Sequence, residues 1–92
     1  MKFEWSEAKN RANIRKHGID FASAREAFTG PMVVSAESRA EYGEERWVAL
    51  GFLRGRVVVL VFTQPAPDTI RVISIRKANR YEQEEFTDAL KD

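Results

Sequence analysis

Hydrophobic and polar positions change their period repeatedly along this chain, and each change predicts an element. Residues 2–5 alternate polar and apolar, which suits a short strand with Phe3 and Trp5 on one face. Ser6 then offers a side-chain oxygen to the free amides of a helix running through Ala8 and Ala12 to His17. Gly18 stands where a left-handed cap ends that helix, with Ile19 placed to close over Ile14. Asp20 is a second N-cap, and Phe21, Ala24, Ala27 and Phe28 recur at helical spacing until Gly30-Pro31 stops the helix.

From Met32 the period shortens. Residues 32–36 read as a strand and 37–44 as a polar, charged connection. Residues 46–53 and 56–63 are β-rich runs joined by Arg54-Gly55, a two-residue connection suited to a tight hairpin. The unbroken Val57-Val58-Val59-Leu60-Val61-Phe62 run leaves no face for water, so this strand belongs in the sheet interior, covered on both sides. Two prolines in 63–68 predict a loop, 69–76 another strand, and 78–90 a helix whose apolar stripe is Tyr81, Phe86, Ala89 and Leu90. The expected fold is α+β: one mostly antiparallel sheet packed with helices, in the order β-α-α-β-β-β-β-α, as a single domain over residues 1–92.

Composition limits the chemistry. No apolar run is long enough to cross a bilayer, and the N-terminus lacks the pattern of a secretory signal, so the expected location is the cytoplasm without membrane contact. There is no Cys and one His, which removes disulfides, thiolate nucleophiles and Cys- or His-cluster metal sites. Catalysis is therefore expected without metal or cofactor, from Arg, Lys, Glu, Tyr, Ser and His17.

Charge is more informative than its total. The net value of +1 hides a chain in which residues 54–80 hold six basic and one acidic side chain, while 81–92 hold five acidic and one Lys. Arg71, Arg76, Lys77 and Arg80 cluster where a strand hands over to a helix. Guanidinium groups grip phosphate through a planar fork at any pH, so nucleic acid is the first partner to consider, with solvated ion pairs as the alternative. Strict alternation would point Arg71 and Arg76 to opposite faces; twist or a bulge near Ser74 would reunite them. Pairing Leu53 with Arg56 across the turn places Arg46 opposite Thr63, at the far end of the hairpin from Arg54 and Arg56. Trp47 suits the core better than a base-stacking platform. His17, the chain's single imidazole, is a candidate acid or base, although a helix C-terminus explains a His equally well. Lys9, Arg11, Arg15 and Lys16, with Asn10 and Asn13, give the first helix a basic polar surface.

Three blocks in order carry a resemblance: Trp5-Ser6-Glu7-Ala8-Lys9-Asn10 with Asn13 and Arg15-Lys16-His17-Gly18-Ile19-Asp20-Phe21; Tyr42-Gly43-Glu44-Glu45-Arg46-Trp47; and Arg71-Val72-Ile73-Ser74-Ile75-Arg76-Lys77-Ala78 with Arg80 and Glu82. Together they resemble the BrnT family of bacterial toxins, which share the fold of RelE-like ribonucleases. Ile75 departs from the pattern, standing where the family often has a small residue. The resemblance implies an endoribonuclease that cleaves RNA and arrests growth. It also implies neutralisation by a BrnA-type DNA-binding antitoxin in a hetero-oligomer that reaches operator DNA through the antitoxin and represses its own operon. Arg71 and Arg76 are then expected at the scissile phosphate, Arg46 in support, Glu45 or His17 as proton shuttles, and Lys77, Arg80, Tyr81, Arg15 and Lys16 along the RNA. A non-catalytic nucleic-acid-binding or protein-interaction module is the alternative that the residues also permit.

Overall fold

The computed structural model describes residues 1–37 and 45–91. Its elements are β1 (Lys2–Glu4), α1 (Glu7–His17), a 3-10 turn (Phe21–Ser23) leading into α2 (Ala24–Ala27), β2 (Val33–Ala36), β3 (Trp47–Leu53), β4 (Arg56–Ala66), β5 (Thr69–Lys77) and α3 (Arg80–Leu90). The strands form one five-stranded sheet in the order β1-β5-β4-β3-β2, with β1 parallel to β5 and the remaining pairs antiparallel. This is the α+β arrangement that the periodicity predicts. The connection at 38–44, including the Tyr42-Gly43-Glu44 part of the second block, lies outside the described residues.

The local signals act as their chemistry requires. Ser6 Oγ accepts from Lys9 N, and Gly18 adopts φ 72° while its N–H donates to Ile14 O. Ile19 is buried in the core, but Ile14 remains 40% exposed. Asp20 accepts from Ala22 N, and its carboxyl is held below the ordinary value first by that bond and then by Asn10. At the hairpin, Arg54 has φ 50° and Gly55 φ 86°, the paired positive angles whose twist matches the flanking strands.

β4 is central, and its run splits between two faces. On the inner face Val58, Leu60 and Phe62 join Ile19, Phe21, Ala24, Ala27, Ile70, Val72 and Ile75 in the main core, with Phe3, Trp5, Phe28, Met32 and Trp47 packed around it. On the outer face Leu50 and Val59 are covered by Phe86 of α3, whose ring also stacks on Phe52 at 6.4 Å. The outer cover is only partial, because Val57 and Val61 remain half-buried. The apolar stripe expected on α3 reduces to Phe86, since Tyr81 is 81% exposed and Leu90 is also exposed.

Two further expectations change. β4 does not end at Thr63 but continues through Pro65 to Ala66. β3 flanks it only as far as Phe62, and a register shift separates Thr63↔Arg71 from Ala66↔Thr69. A proline without an N–H is tolerated in such a bulged, one-sided stretch. In α1, Asn10 and Asn13 are not part of the basic surface; they are its buried residues. Asn13 Nδ2 donates to Ile75 O and Ile19 O, both at 2.9 Å, and its Oδ1 accepts from Ile75 N at 3.2 Å. β1 pairs only with residues 69–71 of β5, so Asn13 satisfies the edge that β1 leaves open. Asn10 likewise accepts from Phe21 N and donates to Asp20.

Replacing Asn13 by Ala strands these buried backbone groups and should cost about 2–4 kcal/mol. In a domain of this size that lowers Tm by roughly 10–25 °C. Chemical denaturation alongside Ile14→Ala, whose side chain is half in water, checks this; equal small losses in the two variants would refute the role given to Asn13.

Candidate active site

The decisive geometry is a bulge in β5. Leu60↔Ile75 and Val61↔Ser74 are followed by Phe62↔Val72, so Ile73 is an extra residue without a partner on β4. Ile70, Val72 and Ile75 all reach the inner core, and Ile75 is completely buried there. Arg71, Ser74 and Arg76 pair with Thr63, Val61 and Val59, which alternate on the outer face. The bulge that the sequence left as one option is what brings Arg71 and Arg76 to the same side. Four strand steps separate their β4 partners, about 13 Å along the sheet.

The hairpin adds a third cation. Leu53↔Arg56 and Trp47↔Phe62 hold the predicted register, and Arg46 stands one residue before Trp47, just outside that ladder. Thr63, next along β4, pairs with Arg71 of β5. Thr63 is buried, and its Oγ1 has no hydrogen-bond partner among the described residues. Arg46 is half-buried and Glu45 exposed beside it.

Each β5 arginine is oriented by a carboxylate. Arg76 Nη1 and Nη2 donate to Glu82 Oε1 and Oε2 at 2.9 and 2.7 Å, and Nη1 also donates to Lys77 O. Glu82 accepts from Asn79 N while Asn79 Oδ1 accepts from Glu82 N, a capping box that opens α3. Arg71 donates through Nε and Nη2 to Glu4 of β1, its partner in the parallel pairing. A guanidinium has five N–H donors. Glu82 takes the end-on edge of Arg76 and leaves the Nε–Nη2 edge uncommitted; Glu4 takes the side-on edge of Arg71 and leaves the Nη1–Nη2 edge. Both pairs are part-exposed, so each arginine keeps a fork for a second oxyanion.

The remaining sequence candidates fall in two places. His17 and Lys16 line a cleft of about 240 Å³ between α1 and the bulge, together with Lys9, Ile73 and Ser74. Lys77 lies instead at the α3 end, sharing a separate cavity of about 330 Å³ with Arg56, Phe52 and Gln83. Arg80 is paired with Glu84 at 3.5 Å, and Tyr81 stands exposed on the first turn of α3. Arg15 is exposed on α1 and does not line the cleft. Arg54 and Glu26 form an unrelated surface pair. Among the described residues no group of three His, Asp or Glu side chains is placed to share a metal ion. The sequence reading did not foresee Glu4 or Ser74 at this site, nor the anchoring of Arg76 by Glu82, although the Asn79-Arg80-Tyr81-Glu82 spacing was a readable capping signal.

Glu82's carboxyl is held below its ordinary value, chiefly by the Arg76 hydrogen bonds, with burial opposing. A depressed folded-state pKa stabilises above the unfolded value and loses that contribution as pH falls through the folded one. Glu82→Gln keeps the capping geometry but removes the charge. The variant should be about 1 kcal/mol less stable near pH 7, with the gap closing below the ordinary carboxylate range near pH 4. Urea titrations across pH check this, and a pH-independent gap would contradict it.

No helix of the described residues is long and apolar enough to cross a membrane. No curated protein matches the chain. Residues 5–82 match the family model described as the ribonuclease toxin BrnT of type II toxin–antitoxin systems. The 1.1 Å crystal structure of the Brucella abortus ribonuclease toxin BrnT superposes with a TM-score of 0.71 at 33% sequence identity, covering 87% of this chain and 99% of that one. The chain therefore belongs to the BrnT family of ribonuclease toxins of type II toxin–antitoxin systems.

Proposed function

We propose that this toxin is an endoribonuclease that cleaves RNA in the cytoplasm, without a metal cofactor, at the outer face of β5. The observation that supports it is the bulge-enforced placement of Arg71 and Arg76 on one face, each oriented by a carboxylate with one guanidinium edge uncommitted. RNA carries its own nucleophile. Attack of the 2′-oxygen on phosphorus expels the 5′-oxygen of the next nucleotide and leaves a 2′,3′-cyclic phosphate. The protein then needs to hold the phosphodiester in line, stabilise the charge gathering on its oxygens, and move one proton from the 2′-hydroxyl and one to the leaving oxygen.

Arg76 and Arg71 supply the charge stabilisation, with Arg46, just before β3, as a supporting contact. His17, at the cleft beside Ser74, and Glu45, beside Arg46, are the proton-transfer groups, with Lys77 and Tyr81 as secondary candidates. Tyr81 and Arg80 at the start of α3, and Arg15 and Lys16 on α1, extend the RNA contact through stacking and charge. The partner that silences the toxin is a BrnA-type DNA-binding antitoxin. It carries the toxin to operator DNA, and the pair represses its own operon.

Arg76→Ala should lower RNA cleavage by the purified protein about 10²–10³-fold, the usual cost of removing one transition-state donor. Circular dichroism should show the domain still folded, and cells expressing the variant should keep growing. Excess EDTA should leave wild-type cleavage unchanged. A folded Arg76→Ala protein that cuts RNA at the wild-type rate would exclude this site, and a wild type that binds RNA without cutting it would favour the non-catalytic module.

A further inference from the structure

The cleft between α1 and the β5 bulge has a property that the arginines of β5 lack. Arg71, Arg76, Arg54, Arg80 and Lys91 each lie within ion-pair distance of a carboxylate. Lys9 and Lys16, which line the cleft with His17, have no carboxylate within that distance among the described residues. The opposite wall is Ile73 and Ser74, the bulge itself. Helical spacing sets Lys9, Asn13 and Lys16 on one side of α1, and the two bonds from Asn13 to Ile75 lock that side against β5. The lysines are therefore anchored at their backbones beside a strand hydroxyl, and their charge is unspent.

We infer that this cleft is a second phosphate subsite, holding an RNA phosphodiester next to the one that is cut. Lys9 and Lys16 supply the charge and the Ser74 hydroxyl a neutral donor. This rests on the ribonuclease reading above and names the direction in which the substrate continues: from the outer face of β5 across Ser74 to α1. Ser74 is the hinge of that path, because the bulge puts it on the face of Arg71 and Arg76 while it also lines the cleft. Two strand positions, about 7 Å, separate Ser74 from Arg76. Ser74 thus joins the cleft to the face of Arg71 and Arg76, and the cavity that Lys77 shares is a different one, lined by Phe52, Val57 and Gln83.

The test uses the full chain and a 2′-O-methylated oligoribonucleotide, which lacks the nucleophile and reports binding alone. Fluorescence anisotropy across a salt series compares wild type, the double variant Lys9→Ala/Lys16→Ala, Ser74→Ala, and a charge-matched control, Lys2→Ala/Lys91→Ala. Losing two phosphate-directed lysines should weaken binding about fivefold or more at low salt and flatten the log–log salt slope by about 1. The control should change both much less, and Ser74→Ala should weaken binding without altering the slope. With cleavable RNA, the double variant should raise KM for an oligomer about fivefold or more, and by a larger factor than for a dinucleotide with a single phosphate.

A double variant that retains wild-type affinity and slope, or that matches the control, overturns the subsite. So does an equal loss on oligomer and dinucleotide, which would place the lysines at the scissile phosphate. Failure of the ribonuclease reading is a separate result: a wild type that binds the modified RNA with the predicted salt dependence but cuts no unmodified RNA keeps the cleft as a phosphate site and removes the enzyme.

Discussion

One extra residue in β5 decides where everything else at the site can be. Without the bulge at Ile73, strict alternation would let neither Val72 and Ile75 share the inner face nor Arg71 and Arg76 share the outer one. With it, Val72 and Ile75 both reach the inner core while Arg71, Ser74 and Arg76 share the outer face. The core holds this arrangement in place. Slipping the phase would bring a guanidinium towards the apolar layer, where an unpaired charge is far more costly than a local break in a ladder. Asn13 reinforces it from outside, since its side chain pairs with Ile75 as a neighbouring strand would. The same bonds that close the sheet edge thereby fix α1 beside the bulge.

The elements were legible in the sequence because each had a local physical cause. Ser6 and Gly18 delimit α1, Asp20 opens the next turn, and Arg54-Gly55 makes the hairpin. What escaped were features whose cause is tertiary. Asn13 looks like one more polar residue on a polar helix until β5 is placed beside it. β4 runs on through Pro65 because β3 has already ended, which a local reading of prolines does not reveal. Tyr81 and Leu90 fit an apolar stripe, but α3 covers only part of the outer face and needs only Phe86 to do so.

The candidate site was legible by residue type and not by direction. The order Ile70, Arg71, Val72, Ile73, Ser74, Ile75, Arg76 contains its own signal, since two adjacent apolar residues interrupt the alternation where the bulge lies. The carboxylates were harder to foresee. Glu4 meets Arg71 only because β1 joins β5 in parallel across most of the chain's length, and Glu82 meets Arg76 because the capping box turns its side chain back towards the strand. Ile75 sits wholly inside the core, on the face opposite the exposed guanidinium of Arg76.

These pairings divide the work among the cations. An arginine held by a carboxylate is close to neutral beyond the Debye length of about 8 Å, so Arg71 and Arg76 contribute little to drawing RNA in from solution. Their partners give orientation instead: a planar fork held at a fixed angle loses less freedom when it binds a phosphate. Long-range attraction falls to cations without such partners, among which Lys9 and Lys16 stand beside the cleft. Three of the four acidic residues of α3 fit the same division: Glu82, Glu84 and Asp88 each meet a nearby cation, which weakens the negative field they set against the substrate. A net charge of +1 is in this way compatible with a nucleic-acid site, since steering depends on where charge is left unpaired and not on its sum.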